Sequence, residues 1–231
     1  MNLAKHTVNK AKLWLGKTLP PNSLRSRYQL EANAAILIPK LKLVYTPIPK
    51  AANRSIKHAL AETIHMQYQL SSHKANWQVV DVNQLPFKDY YHFTVVRNPI
   101  ERLISCYFQK FHHPFRKPNR IFWKYGKAIQ TEMSFQDFAE FVIQTPDKYS
   151  DRHFKSQYLL LGKDISAYDS IIRIENMEDE WEKLRIKFNL PPLTHQNRAH
   201  RQCAELNLED ELVSKLYHRY KEDYNILGYV R

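Results

Sequence analysis

The run Leu43-Val44-Tyr45-Thr46-Pro47-Ile48-Pro49-Lys50-Ala51-Ala52-Asn53-Arg54-Ser55-Ile56-Lys57 decides how the chain is read. Leu43 to Tyr45 are apolar and suit a buried strand, Pro47 and Pro49 lack the N–H donors that would extend a ladder, and a helix starts near Asn53. The first N–H groups of that helix have no intrahelical acceptors. With Lys50 and Arg54 beside them, they suit a phosphate or sulfate. Taken alone, the stretch also fits an ordinary strand-to-helix turn with surface lysines.

Working outward, Tyr91-His92-Phe93-Thr94-Val95-Val96-Arg97 is a second buried-strand run, and it passes through Asn98-Pro99 into a helical segment, Ile100 to Lys110. Arg97 falls at the strand's C-terminal end. Ser105 lies two turns along the helix, so Arg97 and Ser105 together could grip a second anion. Two anion sites at strand ends suggest a nucleotide with phosphates at both of its ends.

The other segments set the organisation. Residues 1–21 form a basic, loosely amphipathic segment, in which Leu3, Val8, Leu13 and Trp14 alternate with Lys5, Lys10, Lys12 and Lys17; such a segment packs on its own domain, frays, or lies on an anionic membrane. Residues 22–231 read as a single domain whose first part, 22–40, is an approach to the Leu43 strand. The helix after Lys50 is expected to run to about Gln67. Residues 69–90 form a crossover to the Arg97 strand, taken as parallel to the first. Ser134 caps a helix through Gln144, Tyr168 to Ile174 form a third buried strand, an acid-first helix runs from Asn176 to near Phe188, and a last helix covers 208–227. Repeated strand-helix units predict an α/β fold.

Composition narrows the chemistry. With 35 Lys and Arg against 23 Asp and Glu, the net charge is +12, which favours polyanionic partners: nucleic acid, anionic headgroups, acidic glycans or a phosphorylated nucleotide. The four glycines, Gly16, Gly126, Gly162 and Gly228, all lie outside the Lys50 loop, so neither a Walker loop nor a dinucleotide-binding Gly-x-Gly-x-x-Gly is present. Cys106 and Cys203 give no disulfide framework and no metal-ligand cluster. A reducing compartment is the simpler expectation, and no run has the length of a membrane-spanning helix.

The Pro49-Lys50-x-x-x-x-Ser55 loop and the Val96-Arg97-Asn98-Pro99-x-x-Arg102-Leu103-x-Ser105 strand-helix resemble the donor signature of the sulfotransferases, in their carbohydrate sulfotransferase branch. Further pieces agree in order: His153-Phe154-Lys155-Ser156-Gln157, Tyr168 to Glu175, Asn197, Tyr220 to Tyr224, and Gly228-Tyr229. The resemblance runs over roughly residues 40–230 and implies a three-layer α/β/α domain with a central parallel sheet, akin to P-loop nucleotide kinases. It implies 3′-phosphoadenylyl sulfate as co-substrate, with no metal required. Lys50 would contact the bridging oxygen or the leaving 5′-phosphate; Ala51, Ala52, Asn53, Arg54 and Ser55 would hold the remaining oxygens; Arg97 and Ser105 would take the 3′-phosphate. Relatives often carry a glycine in the Lys50 loop, where this chain has Ala51-Ala52.

The acceptor hydroxyl needs a base, and a neutral imidazole serves near pH 7. His73, between the two anion motifs, is the first candidate, because related uronosyl sulfotransferases have a histidine at a similar distance before the 3′-phosphate strand; His153 is the second. The basic, aromatic segment from Phe111 to Lys127 suits an acceptor: Arg116, Lys117 and Arg120 offer cations and Trp123 a ring for a carbohydrate or glycoconjugate, acidic ones included. The same composition suits single-stranded nucleic acid, or a loop with rings tucked into the core. The competing function is therefore a non-enzymatic module that binds nucleic acid or another polyanion, although no nucleic acid partner is expected of the enzyme. Eukaryotic relatives are generally membrane-anchored Golgi enzymes; this chain is expected in the cytoplasm, touching the inner membrane face, if at all, through residues 1–17.

Overall fold

The computed structural model describes residues 34–67, 76–85, 87–111, 125, 129–130, 132–193 and 206–230. The basic segment 1–21, His73, the Arg116, Lys117, Arg120 and Trp123 group and Asn197 lie outside the described residues.

The strands in chain order are β1 (Ala34–Ile38), β2 (Leu43–Thr46), β3 (Gln78–Asp81), β4 (Tyr91–Val96) and β5 (Ser170–Arg173), and they form one sheet in the order β3-β1-β2-β4-β5. Every residue of β2 is buried, and so is β4 after Tyr91, as the unbroken apolar runs predict for strands covered on both faces. β2, β4 and β5 are parallel, with Tyr45 opposite Phe93 and Thr94 opposite Ile171.

The sheet is α/β as expected but mixed, since β1 runs antiparallel to both β2 and β3. The reason is the connection: β1 reaches β2 through a single 3₁₀ turn, Pro39–Leu41, with Lys42 in the left-handed region, and so short a link permits only antiparallel pairing. β1 lies in what the sequence presents as an approach segment. β3 lies in the crossover, on the outer edge and mostly exposed, so no apolar pattern announces it.

The helices are α1 (Asn53–Thr63), α2 (Pro99–Phe111), α3 (Phe135–Gln144), α4 (Met177–Phe188), α5 (Asp210–Arg219) and α6 (Lys221–Leu227). α1 and α4 cover one face of the sheet, setting Ile56, Leu60, Trp181 and Leu184 against Leu43, Tyr45, Phe93 and Val95. Among the described residues the opposite face is covered by shorter pieces. Val82 packs on Ala35, Leu37 and Val44, the Tyr168 hydroxyl donates to Thr46 Oγ1 at 2.9 Å, and His92 Nδ1 meets Ala167 O at 2.8 Å. A second core gathers α2, α3, α5 and α6 around Tyr107, Phe111, Phe138, Phe154 and Leu216.

Helix ends follow from local chemistry. Asn98 caps α2 by accepting from Ile100 N at 3.0 Å and Glu101 N at 3.3 Å, with Pro99 at the first helical position. Ser134 Oγ accepts from Asp137 N and caps α3 as expected. α1 is shorter than expected: His65 turns left-handed at φ 55° and Met66 N–H returns to Ala61 O, closing the helix after Thr63. The last helix is two, α5 and α6, kinked at the buried Tyr220, whose hydroxyl donates to Phe154 O at 2.7 Å.

Arg102, on α2, is 1 % exposed and, among the described residues, bonds to three main-chain carbonyls: Nε to Pro49 O at 2.9 Å, Nη1 to Lys155 O at 2.8 Å, and Nη2 to Arg152 O at 2.7 Å. A lysine offers one ammonium in place of this planar fork and cannot reach three carbonyls held in fixed directions. Arg102→Lys is expected to cost about 3 kcal/mol, because buried carbonyls lose their donors. Urea unfolding of the two proteins measures it; equal midpoints would show that the three bonds contribute nothing net.

Candidate active site

β2 and β4 are hydrogen-bonded neighbours, so the two anion motifs at their C-terminal ends stand side by side. The loop leaving β2 buries Pro47, Ile48 and Pro49 and then turns sharply, with Ala51 N donating to Ile48 O at 3.3 Å. The Ala51 N–H is thus committed to the turn. Lys50, at φ 74°, and Ala52, at φ 50°, both adopt the left-handed conformation that glycine supplies most easily. Ile56 N–H is the first in α1 to donate, to the carbonyl of the capping residue Ala52 at 3.1 Å; the N–H groups of Asn53, Arg54 and Ser55 precede it at the open helix start.

Lys50 is half-buried, and its ammonium donates to Gln109 Oε1 at 3.0 Å. Its pKa is lowered to about 8, chiefly by desolvation, and the cations Arg97, Lys110 and Arg54 act in the same direction. Lys57, one turn further along α1, is also lowered to about 8 by burial and by Arg152. Cations therefore converge on this end of the sheet, the electrostatic condition for holding a multiply charged anion.

Arg97 is 3 % exposed. Nη2 donates to Glu101 Oε2 at 3.3 Å, and Nε is a buried donor with no acceptor among the described residues. Ser105, 9 % exposed, sits on the inner side of α2 with Arg102 and Cys106. The Cys106 thiol is buried and held up at about 11 by desolvation, so it is no nucleophile.

His153 faces Asp151: Nδ1 lies 2.6 Å from Asp151 Oδ1, which also accepts the His153 N–H at 3.0 Å. With the carboxylate as acceptor, Nδ1 carries the proton and Nε2 keeps its lone pair. Burial lowers the imidazole below its usual 6.5 despite Asp151, with Lys110 and Arg152 helping. Burial therefore favours the neutral ring. Its segment is tied to the Lys50 loop through Arg102, which bonds the carbonyls just before Lys50 and just before His153, and through Arg152 Nη2, which donates to Pro47 O at 3.3 Å.

Lys50, Asn53, Arg54, Ser55, Arg97 and Ser105 thus belong to two adjacent strand-helix junctions, with His153 on a loop joined to them. Sequence reasoning did not single out Gln109, Lys57, Asp151 or Gln157, whose partners lie mostly far along the chain. The i, i+2 spacing of Asp151 and His153 left a local trace, and Gln157 appeared only as the end of the His153 motif, with no role of its own. No group of three or more His, Cys, Asp or Glu side chains among the described residues is placed to hold a metal, and no described helix is long and apolar enough to cross a membrane.

The chain is 28 % identical to carbohydrate sulfotransferase 11 of Danio rerio over 182 residues, which is 66 % of this chain and 50 % of that protein. It therefore spans about half the length of this curated relative. No solved structure matches it. The model of the sulfotransferase family matches residues 33–230, a span that takes in both strand-end junctions and the His153 loop, and the chain belongs to that family.

Proposed function

We propose that the chain transfers a sulfuryl group from 3′-phosphoadenylyl sulfate to a hydroxyl of a carbohydrate or glycoconjugate. The observation that carries this reading is the pairing of two cationic strand ends on adjacent parallel strands, Lys50 at one and the buried, incompletely bonded Arg97 at the other. Family membership and the name of the relative support the reaction class.

In this reading the acceptor oxygen attacks sulfur in line, the S–O bond to the 5′-phosphate breaks, and the leaving phosphate takes up the charge. The Lys50 ammonium meets that charge as it develops, while the N–H groups of Asn53, Arg54 and Ser55 and the Arg54 side chain hold the spectator oxygens. Arg97 and Ser105 bind the 3′-phosphate. His153 Nε2 takes the acceptor proton, supported by its neutral state and by the 2.6 Å contact to Asp151 that fixes the ring. An acidic glycan held by Arg116, Lys117, Arg120 and Trp123 remains the acceptor of choice, and a cytoplasmic location belongs to the same proposal.

Calorimetry with 3′-phosphoadenosine 5′-phosphate is expected to give one tight site per chain, weakened at least tenfold in Arg97→Ala through loss of a charged hydrogen bond. Failure to bind, together with salt-sensitive binding of oligonucleotides, would favour a polyanion-binding module instead. Lys50→Ala is expected to lower turnover by about 10²-fold or more with less effect on donor affinity, the mark of an interaction made in the transition state. Labelled-donor assays across acidic glycans, neutral glycans, glycolipids and phenols test the acceptor; a preference for phenols overturns it.

The pH profile follows from Lys50 and His153, the two perturbed groups assigned to the reacting atoms. Donor kcat/KM is expected to fall as pH rises through about 8, where Lys50 loses its proton, and Lys50→Arg, less active overall, should lack that limb because arginine stays charged. On the acid side the fall in activity should come at a lower pH than for an ordinary imidazole, since burial depresses His153. His153→Ala should abolish turnover with donor affinity intact; if His73→Ala does so and His153→Ala does not, the base is His73.

A further inference from the structure

The last register pair of β4 is Val96 with Arg173 on β5, and beyond it the chain leaves the ladder. The buried peptide groups of Arg97 then need other partners. A single side chain supplies both: Gln157 Oε1 accepts from Arg97 N at 3.0 Å, and Gln157 Nε2 donates to Arg97 O at 2.7 Å. Gln157 is fully buried. A carboxamide combines donor and acceptor in one plane and can bracket an N–H and a C=O as a neighbouring strand would.

Gln157 is itself held. Its own N–H and that of Tyr158 donate to the two carboxylate oxygens of Asp223, each at 2.8 Å, and Asp223 is a fully buried residue of α6. A continuous set of bonds therefore runs from the C-terminal helix through Gln157 to the backbone from which the Arg97 guanidinium projects. That guanidinium has Glu101 on Nη2 and a buried Nε without an acceptor among the described residues, so its direction is not fixed by these side-chain contacts alone.

We propose that Gln157, anchored by Asp223, is the positioning residue that aims Arg97, and that it thereby sets how strongly the protein selects nucleotides carrying a 3′-phosphate. The inference rests on the reading of Arg97 as the 3′-phosphate ligand. With Gln157 removed, the Arg97 peptide is free to rotate, and affinity is lost at one end of the nucleotide only.

The test is calorimetry on the full chain with two probes, 3′-phosphoadenosine 5′-phosphate and adenosine 5′-monophosphate, for wild type, Arg97→Ala and Gln157→Leu. Wild type should prefer the bisphosphate and Arg97→Ala should not. Gln157→Leu should weaken bisphosphate binding about tenfold and monophosphate binding less than about twofold, as expected when one ligand hydrogen bond loses its geometry. General destabilisation would lower the melting temperature and leave the ratio of the two affinities unchanged, and that result would overturn the positioning role. If Gln157→Leu does not fold, Gln157→Asn, whose carboxamide is one methylene too short to reach both peptide groups, is read by the same ratio. If wild type shows no preference, the assignment of Arg97 fails and this inference with it; if wild type and Arg97→Ala differ but the Gln157 variants match wild type, only the inference fails.

Discussion

The structure depends on a buried guanidinium that, among the described residues, bonds to carbonyls and to no carboxylate. Arg102 joins the peptide before Lys50 to the Arg152 and Lys155 carbonyls, so α2, the Lys50 loop and the His153 loop, three segments distant in sequence, share one rigid hub. Burying a cation is costly, and desolvation pulls the Arg102 pKa down, but three oriented dipoles and the nearby carboxylates of Asp223 and Asp147 act the other way. A second arginine, this one paired with a carboxylate, holds the same loop. Arg219, on α5, binds both Asp147 oxygens at 2.8 and 3.0 Å and reaches Ser156 Oγ and Thr145 O. The 145–157 loop is therefore held by two arginines, and the segment that carries the proposed base becomes part of the frame.

This frame sustains an arrangement that is electrostatically unfavourable by itself. Lys50, Arg54, Arg97 and Lys110 are close enough for each of the last three to lower the Lys50 pKa. Such crowding is tolerated when the elements bearing the charges are fixed by other interactions, here two parallel strands paired along their length and the apolar cores on which α1 and α2 pack. The same crowding gives an incoming anion a large favourable interaction with groups already in position.

The parts legible in the sequence are those whose signal is local. The apolar runs of β2, β4 and β5, the Asn98-Pro99 and Ser134 caps and the acid-first α4 could all be read within a short window, and they were enough to bring Lys50 and Arg97 to neighbouring strand ends. β1 escaped because its apolar run, Ala34 to Ile38, merged with the approach to β2, and β3 because an exposed edge strand has no hydrophobic face to display. The kink at Tyr220 was invisible because apolar spacing continues through it. Gln109 and Gln157 could not be assigned roles, since each meets its partner across 59 or 60 residues and a lone glutamine carries no periodicity. Polar positioning groups are specified by tertiary placement, and only the fold reveals them.

The two left-handed residues of the Lys50 loop have a consequence for how such loops are recognised and how they behave. Alanine at φ 50° bears a steric penalty of about 1 kcal/mol that glycine avoids, yet its Cβ also removes a comparable amount of backbone freedom from the unfolded chain. The substitution is thus nearly neutral in free energy while it narrows the set of conformations the loop can visit. A search template that demands glycine here would pass over the chain, although the backbone path is the one glycine would take. Among natural variants, position 52 should admit glycine, asparagine and alanine and exclude valine and isoleucine, a pattern dictated by one torsion angle rather than by any contact with a ligand.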